Sequence, residues 1–360
     1  NQVFGLQDFR PHQQEIIERL IDGGDAFVLM PTGGGKSLCY QLPALHRPGL
    51  AIVVSPLISL MKDQVDALRA NGVRAAMYNS NLNAGEAREV LEALHSGELD
   101  LLYVAPERMM RPGFLHSLES MQVALIAIDE AHCVSQWGHD FRPEYVALGE
   151  LREQFPGTPF IALTATADPQ TREDIVGVLR LQDAQRFVTS FDRPNIRYTV
   201  LEKHRPQAQL VRFLNEREEE SGIVYALSRK RTEEVADHLA DRGFSAAAYH
   251  AGLNADVRRD VQERFLRDEV SNVVATVAFG MGIDKPNVRF VVHYDMPRHL
   301  EGYYQETGRA GRDGLSSEAL LLFGTQDAAM ARYQIEQGRN EEQKRVELHK
   351  LNAMVGFGES

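Results

Sequence analysis

Cysteine is almost absent from this chain of 360 residues. Cys39 and Cys133 are the only two, and they form no CxxC pair. That excludes a disulfide-stapled scaffold and a cysteine-based zinc site; Cys133 reads as a small buried thiol, not a reactive one. No apolar run reaches the roughly 18–20 residues of a membrane span. No signal peptide opens the sequence, so a cytoplasmic protein without a membrane partner is expected. The first residue is Asn1, which reads as a trimmed terminus. Basic residues are in deficit: 39 Lys+Arg against 51 Asp+Glu leave a net charge of −12. As a sum, this argues against a nucleic-acid partner, because phosphate binders present a basic surface. The deficit is uneven, however. Residues 1–190 hold 15 Lys+Arg and 24 Asp+Glu (−9), whereas residues 191–360 hold 24 and 27 (−3). Electrostatic steering depends on the local face and not on the total.

What is present is ordinary for a folded chain: 43% hydrophobic and 25% charged residues, which rules out a disordered or low-complexity protein. The length implies two domains. Apolar runs AFVLM (26–30), LAIVVS (50–55), LDLLYVA (99–105), VALIAID (123–129) and PFIALTAT (159–166) are apolar at nearly every position. Strands of that kind are covered on both faces, as in a parallel α/β sheet. Residues 57–72 carry Leu57, Leu60, Met61, Val65 and Leu68 at helical spacing, with Gly72 as a C-cap. The pattern restarts near residue 190 with strands at 222–227, 245–250, 273–276, 289–295 and 319–324 and helices at 232–243 and 256–268. The expected fold is therefore α/β, two tandem doubly wound domains with mainly parallel sheets. They divide at SFDRPNIRY (190–198) into 1–190 and 191–330, and a helical tail follows over 331–360.

Four segments carry chemistry. PTGGGKS (31–37) follows a strand and precedes a helical stretch, the context of a phosphate-binding loop. Gly33, Gly34 and Gly35 let backbone N–H groups approach phosphates, and the helix start favours the anion. Lys36 then reaches the β- and γ-phosphates and the Ser37 hydroxyl ligates Mg²⁺. The strict pattern has Gly where Met30 stands, so this is a looser variant. DEAH (129–132) ends an apolar strand. Asp129 suits Mg²⁺, Glu130 suits a general base on water, and His132 a relay to a neighbouring element. QETGRAGRDG (305–314) holds Arg309 and Arg312; it is either a solvated loop or a source of an arginine finger. CVSQWGHDFRPEY (133–145) gathers Trp137, His139, Asp140, Phe141, Arg142 and Tyr145. Such a stretch either stacks on unpaired bases or forms a buried aromatic anchor.

Taken in order along the chain, these segments resemble the helicase core of the RecQ family of superfamily 2 DNA helicases. FGLQDFRPHQ (4–13) is similar to the family's adenine-recognition segment, PTGGGKS to motif I, VSPLISLMKDQ (54–64) to motif Ia, YVAPERM (103–109) to motif Ib and DEAH to motif II. QWGHDFRPEY looks like the family's aromatic-rich loop, LTATAD (163–168) like motif III, and YALSRKRTEEVA (225–236) lies where motif IV is. VVATVAFGMGIDKPNVRFVVHYDMP (273–297) resembles motif V and YYQETGRAGRDG motif VI.

The resemblance implies two RecA-like lobes with ATP and Mg²⁺ between them. Leu6, Arg10, Gln13, Thr32, Gly33, Gly34, Gly35, Lys36, Ser37 and Asp284 would hold the nucleotide, with Arg10 and Gln13 on the adenine. Ser37 and Asp129 would hold the metal. Lys36, Asp129, Glu130, Gln305, Arg309 and Arg312 would carry catalysis, Arg312 as the finger. Single-stranded DNA would meet Ser55, Pro56, His132, Trp137, His139, Asp140, Phe141, Arg142, Ser228, Arg229 and Thr276. Translocation would run 3′ to 5′, on single-stranded DNA and on duplexes with a 3′ overhang, in repair or recombination. Zinc is expected only in a further C-terminal region, since this chain supplies none of that module's cysteines. Three competing activities share some of these features: an RNA-dependent ATPase, an ATP-gated DNA clamp that barely hydrolyses, and a small-molecule kinase.

Overall fold

The strands form where apolar residues run without interruption, and they assemble into two sheets. The computed structural model describes residues 3–359 except 6–7, 137–139, 190–191, 278, 280–284 and 339, and all but the side chains of 59 and 342. The chain divides into two units, Asn1–Phe191 and Asp192–Ser360.

The first unit holds β1 (Ala26–Leu29), β2 (Leu50–Val54), β3 (Ala75–Tyr78), β4 (Leu101–Val104), β5 (Val123–Ile128), β6 (Phe160–Thr164) and β7 (Gln185–Val188). They are ordered β3-β4-β2-β5-β6-β1-β7 and every pair is parallel. Successive residues of one strand serve two cores. Ile52 and Val54 enter the cluster that contains Leu102, Ile126 and Tyr145, while Ala51 and Val53 enter the one that contains Tyr40, Met61 and Leu163. That is why β2 is apolar throughout. The helix Ile58–Ala70 ends where the sequence places its cap. Gly72 adopts φ +79°, its N–H donates to Arg69 O (2.9 Å), and Val73 N–H donates to Leu68 O (3.0 Å), a Schellman closure.

The second unit holds β8 (Ile196–Glu202), β9 (Ser221–Tyr225), β10 (Ala246–Tyr249), β11 (Asn272–Ala275), β12 (Val288–His293) and β13 (Ser317–Phe323), ordered β10-β11-β9-β12-β13-β8 and again parallel throughout. Its sheet is also covered on both faces, with Ile223 and Tyr225 on one and Val224 on the other. Strand β8 begins inside the stretch expected to be a polar break. The stretch expected to be a tail is two helices, Thr325–Glu336 and Glu341–Glu359. They bury Ala331, Ile335, Leu351 and Met354 against Met296, Tyr303, Leu321 and Phe323, and so belong to the second unit. Among the described residues no helix is long and apolar enough to cross a membrane.

Candidate active site

In the first unit the chemistry-bearing side chains gather at the C-terminal ends of β1, β5 and β6, the edge at which parallel sheets bind ligands. Met30 extends the end of β1, its N–H donating to Thr164 O (3.1 Å), and its side chain lies in the core. A glycine is therefore not needed there. The turn itself needs them: Gly33 and Gly35 have φ of +78° and +80°. A Cβ on Gly34 would lie 2.9 Å from Pro31 O. The helix Leu38–His46 begins directly after Ser37. Lys36 Nζ donates to Met30 O (3.1 Å) and Pro31 O (3.4 Å), folded over the loop it would serve.

Arg10 and Gln13 pack on this loop. Arg10 N–H donates to Gln13 Oε1 (2.8 Å), Gln13 Nε2 donates to Gly35 O (3.0 Å), and the Arg10 guanidinium donates to Gly33 O. Both ends of the Gln13 amide are thus engaged by the protein itself. Leu6 lies outside the described residues.

Asp129 follows β5. Its N–H donates to Val54 O (2.9 Å), and its own Oδ1 accepts from Glu130 N–H (3.0 Å). The Tyr145 hydroxyl donates to Asp129 O (3.0 Å). Burial raises the Asp129 carboxyl to about 7, the neighbouring Glu130 charge adds to the rise, and Lys36 opposes it. Glu130 occupies the left-handed region at φ +50°, uncommon for a non-glycine residue. Strain of this kind persists only where surrounding contacts over-determine it. Among the described residues no hydrogen-bond donor satisfies Glu130 Oε2, which is buried. His132 Nδ1 sits 3.3 Å from it and 2.9 Å from Thr164 Oγ1. Thr164 Oγ1 in turn donates to Thr166 O (3.0 Å). The sequence marked His132 as a relay; Thr164, at the end of β6, is its partner and was not foreseen.

The buried Asp129 carboxylate, with the carboxylate of Glu130 next to it and Lys36 close enough to act on its charge, offers hard oxygen donors. A divalent cation at Ser37 and Asp129 would favour the ionised carboxylate that burial, and after it the Glu130 charge, disfavours, so the residues present fit Mg²⁺.

The aromatic-rich stretch is in part buried and in part exposed. Tyr145 is buried and anchors Asp129, whereas Phe141 is 36% exposed. Arg142 donates to Asp140 Oδ2 (3.0 and 3.2 Å) and to Pro56 O (3.1 Å), joining the stretch to the end of β2. Trp137 and His139 lie outside the described residues. Ser55, expected to touch DNA, is instead buried at 1% exposure. It continues a central strand, its N–H donates to Val104 O (3.1 Å), and its side chain does not reach solvent.

In the second unit, Ser228 caps the helix Arg229–Ala240, its Oγ accepting from Arg231 N–H (3.2 Å). Ser228 and Arg229 are exposed, and Thr276, half-buried, follows β11. Gln305 lies on the helix Leu300–Thr307. Arg309 is only 6% exposed and hydrogen-bonds the Tyr225 hydroxyl. The arginine segment is thus not a solvated loop at Arg309. Arg312 is half-buried. Asp284 lies outside the described residues.

The chain is similar to known helicases. Residues 10–175 match the DEAD/DEAH box helicase family, and residues 205–314 match the helicase conserved C-terminal domain. The ATP-dependent DNA helicase RecQ of Haemophilus influenzae is 52% identical over 358 residues, which cover 99% of this chain and 58% of that protein. The Bacillus subtilis ATP-dependent DNA helicase RecQ is 46% identical over 356 residues, covering 98% of this chain and 60% of that protein. The chain therefore spans less than two thirds of the length of these relatives. Among solved structures, S. cerevisiae Dbp5 bound to RNA and ADP BeF3 superposes with a TM-score of 0.72 at 16% identity, covering 96% of this chain and 94% of that one. Mycobacterium smegmatis helicase Lhr bound to ssDNA and AMP-PNP gives 0.69 at 20%, covering 92% and 48%. Those two likenesses establish the fold: two tandem RecA-like units. The match over 98–99% of this chain at about half identity, with both helicase domains in order, places it in the RecQ family as a superfamily 2 helicase core.

Proposed function

We propose that the chain is an ATP-hydrolysing motor core that moves 3′ to 5′ along single-stranded DNA and takes part in opening duplexes with a 3′ overhang, in DNA repair or recombination in the cytoplasm. The observation that carries this reading is the buried Asp129, with Glu130 next to it and Lys36 near it, at the end of β5. A bound Mg²⁺ would supply neutralisation of the phosphate charge. Lys36 leaves the Met30 and Pro31 carbonyls for the phosphates, and the glycine backbone cradles them. Ser37 and Asp129 would hold the metal. Glu130, whose Oε2 is unsatisfied among the described residues, accepts a proton from the attacking water. Arg312 of the second unit neutralises charge developing on the γ-phosphate. Ser228, Arg229 and Thr276 hold the DNA backbone, with Phe141 and Trp137 against bases. His132 and Thr164 join the hydrolytic carboxylate to β6.

Glu130→Gln tests the assignment. Loss of a general base costs roughly 10²–10⁴ in rate, so DNA-stimulated hydrolysis should fall by that factor while a fluorescent ATP analogue still binds. Turnover within about twofold of the parent would favour a DNA clamp and sink the motor. Stimulation by single-stranded RNA in preference to DNA would point instead to an RNA-dependent ATPase. Transfer of phosphate to an acceptor other than water would point to a kinase.

A further inference from the structure

The segment that carries Arg309 and Arg312 is held by two side chains from the stretch where the chain enters the second unit. The helix Leu300–Thr307 ends at Gly308, and the carbonyls beyond it have no intrahelical donor. Arg193 supplies donors to three of them: Nη1 to Gly308 O (3.3 Å), and Nη2 to Ala310 O (3.0 Å) and Gly311 O (2.9 Å). Asn195 Nδ2 donates to the same Gly311 O (2.9 Å) and to Leu315 O (3.0 Å). A guanidinium suits this task, because it combines a fixed fork of donors with a cation at the negative end of a helix. Gly311, at φ +57°, is fitted to the seat: a Cβ there would lie 2.4 Å from Asn195 Nδ2 and 2.6 Å from Ser317 Oγ. Its N–H donates to Val288 O (2.8 Å). The backbone directly preceding Arg312 is thereby fixed by β12 on one side and by Arg193 and Asn195 on the other.

We propose that Arg193 and Asn195 are positioning residues for hydrolysis, which set the direction of Arg312 by seating the carbonyls of residues 308–311. The proposal rests on the reading of Arg312 as the residue that stabilises the γ-phosphate. Neither Arg193 nor Asn195 touches nucleotide in this scheme. They remove the freedom of the turn, and a misplacement on the order of 1 Å is enough to cost about 10²-fold in rate.

The test is steady-state, DNA-stimulated ATPase of this chain with Arg193→Ala, Arg193→Lys, Asn195→Ala and Arg312→Ala, together with the Arg193→Ala/Arg312→Ala and Asn195→Ala/Arg312→Ala doubles. Arg193→Ala should lower kcat by roughly 10- to 100-fold, with KM for ATP and the DNA concentration for half-stimulation unchanged. Asn195→Ala should lower it less. Arg193→Lys, with one ammonium in place of the fork, should fall between parent and alanine. In the Arg312→Ala background the same substitutions should cost no more than about twofold further, since residues acting as a unit are non-additive. Losses that multiply across the double variants, or parental kcat in both Arg193→Ala and Asn195→Ala, overturn the proposal. If Arg193→Ala melts unfolded, Asn195→Ala and its double carry the same test. Parental turnover in Arg312→Ala alone defeats the underlying reading of the finger, whereas an inactive Arg312→Ala beside fully active Arg193 and Asn195 variants defeats only the seat.

Discussion

Asp295→Asn should destabilise the second unit with little change in shape. Asp295 follows β12, and its side chain is fully buried at 0% exposure. Oδ1 meets Lys203 Nζ and Arg231 Nη1, each at 2.7 Å, and Oδ2 accepts from Leu227 N–H at 3.0 Å. Burial alone would raise this carboxyl, but the Leu227 N–H, Lys203 and Arg231 together hold it below its ordinary value of 3.8. An asparagine keeps an acceptor for Leu227 and loses the charge. Removing one partner of a buried pair costs about 3–5 kcal/mol. Two features reduce that figure here. Lys203 keeps Asp327 Oδ2 at 2.8 Å, and Arg231 is 47% exposed, so its pair is worth roughly 0–1 kcal/mol. The expected loss is therefore about 2–3 kcal/mol. A unit of this size shifts in Tm by roughly 2–4 °C per kcal/mol, so its melting transition should fall by about 4–12 °C at pH 7. The pH dependence has a definite sign. A depressed carboxyl contributes stability above its unfolded value, and that contribution is lost as pH falls through the folded value. The gap between parent and Asp295→Asn should hold from neutral pH down to about 4 and close below it. Differential scanning calorimetry across that range is the assay. A variant melting within about 1 °C of the parent at pH 7, or a gap that widens in acid, would refute the reasoning.

Two other perturbations probe the proposed DNA contacts. Ser228→Ala removes the cap of the helix Arg229–Ala240, costing about 1 kcal/mol of stability; it should raise the half-stimulating DNA concentration and leave KM for ATP unchanged, which ATPase titration with an oligonucleotide will show. Because the chain carries −12 overall and its expected DNA contacts rest largely on hydroxyls, backbone amides and stacking, the logarithm of affinity should fall with the logarithm of salt at a shallow slope of about 2–3; fluorescence anisotropy between low and physiological salt checks this, and a slope near 10 would show a basic face that the composition hides.

The sequence was most readable where a local demand leaves a repeating mark. Strands β1, β2, β4, β5 and β6 are buried on both faces and are written as continuous apolar runs. The unforeseen β3, β7 and β8 are all edge strands. In β7 three of four residues are exposed, and β8 opens within a polar, proline-containing stretch, so neither leaves that mark. The placement of the two adjacent carboxylates was legible for the same reason: Asp129 and Glu130 follow a run that must be a central strand, and a glycine loop with a lysine follows another. Ser55 is a case that the run alone does not decide. It also terminates an apolar run, but whether a strand end opens on a ligand or into the interior depends on its neighbours, and β2 lies between β4 and β5 with Val104 O as its partner. The partners that steer function are hidden for a related reason. Arg193 reaches carbonyls 115 to 118 residues away, and Asp295 reaches a lysine 92 residues before it. No periodicity links such positions; only the sheet order brings them together. Arg193 and Asn195 read as part of a polar break because their donors answer to carbonyls at the far end of the domain. The break thus holds the arginine segment in place, which is what a linker does not do. Substitutions there should act on turnover before they act on folding, the reverse of what a linker would do.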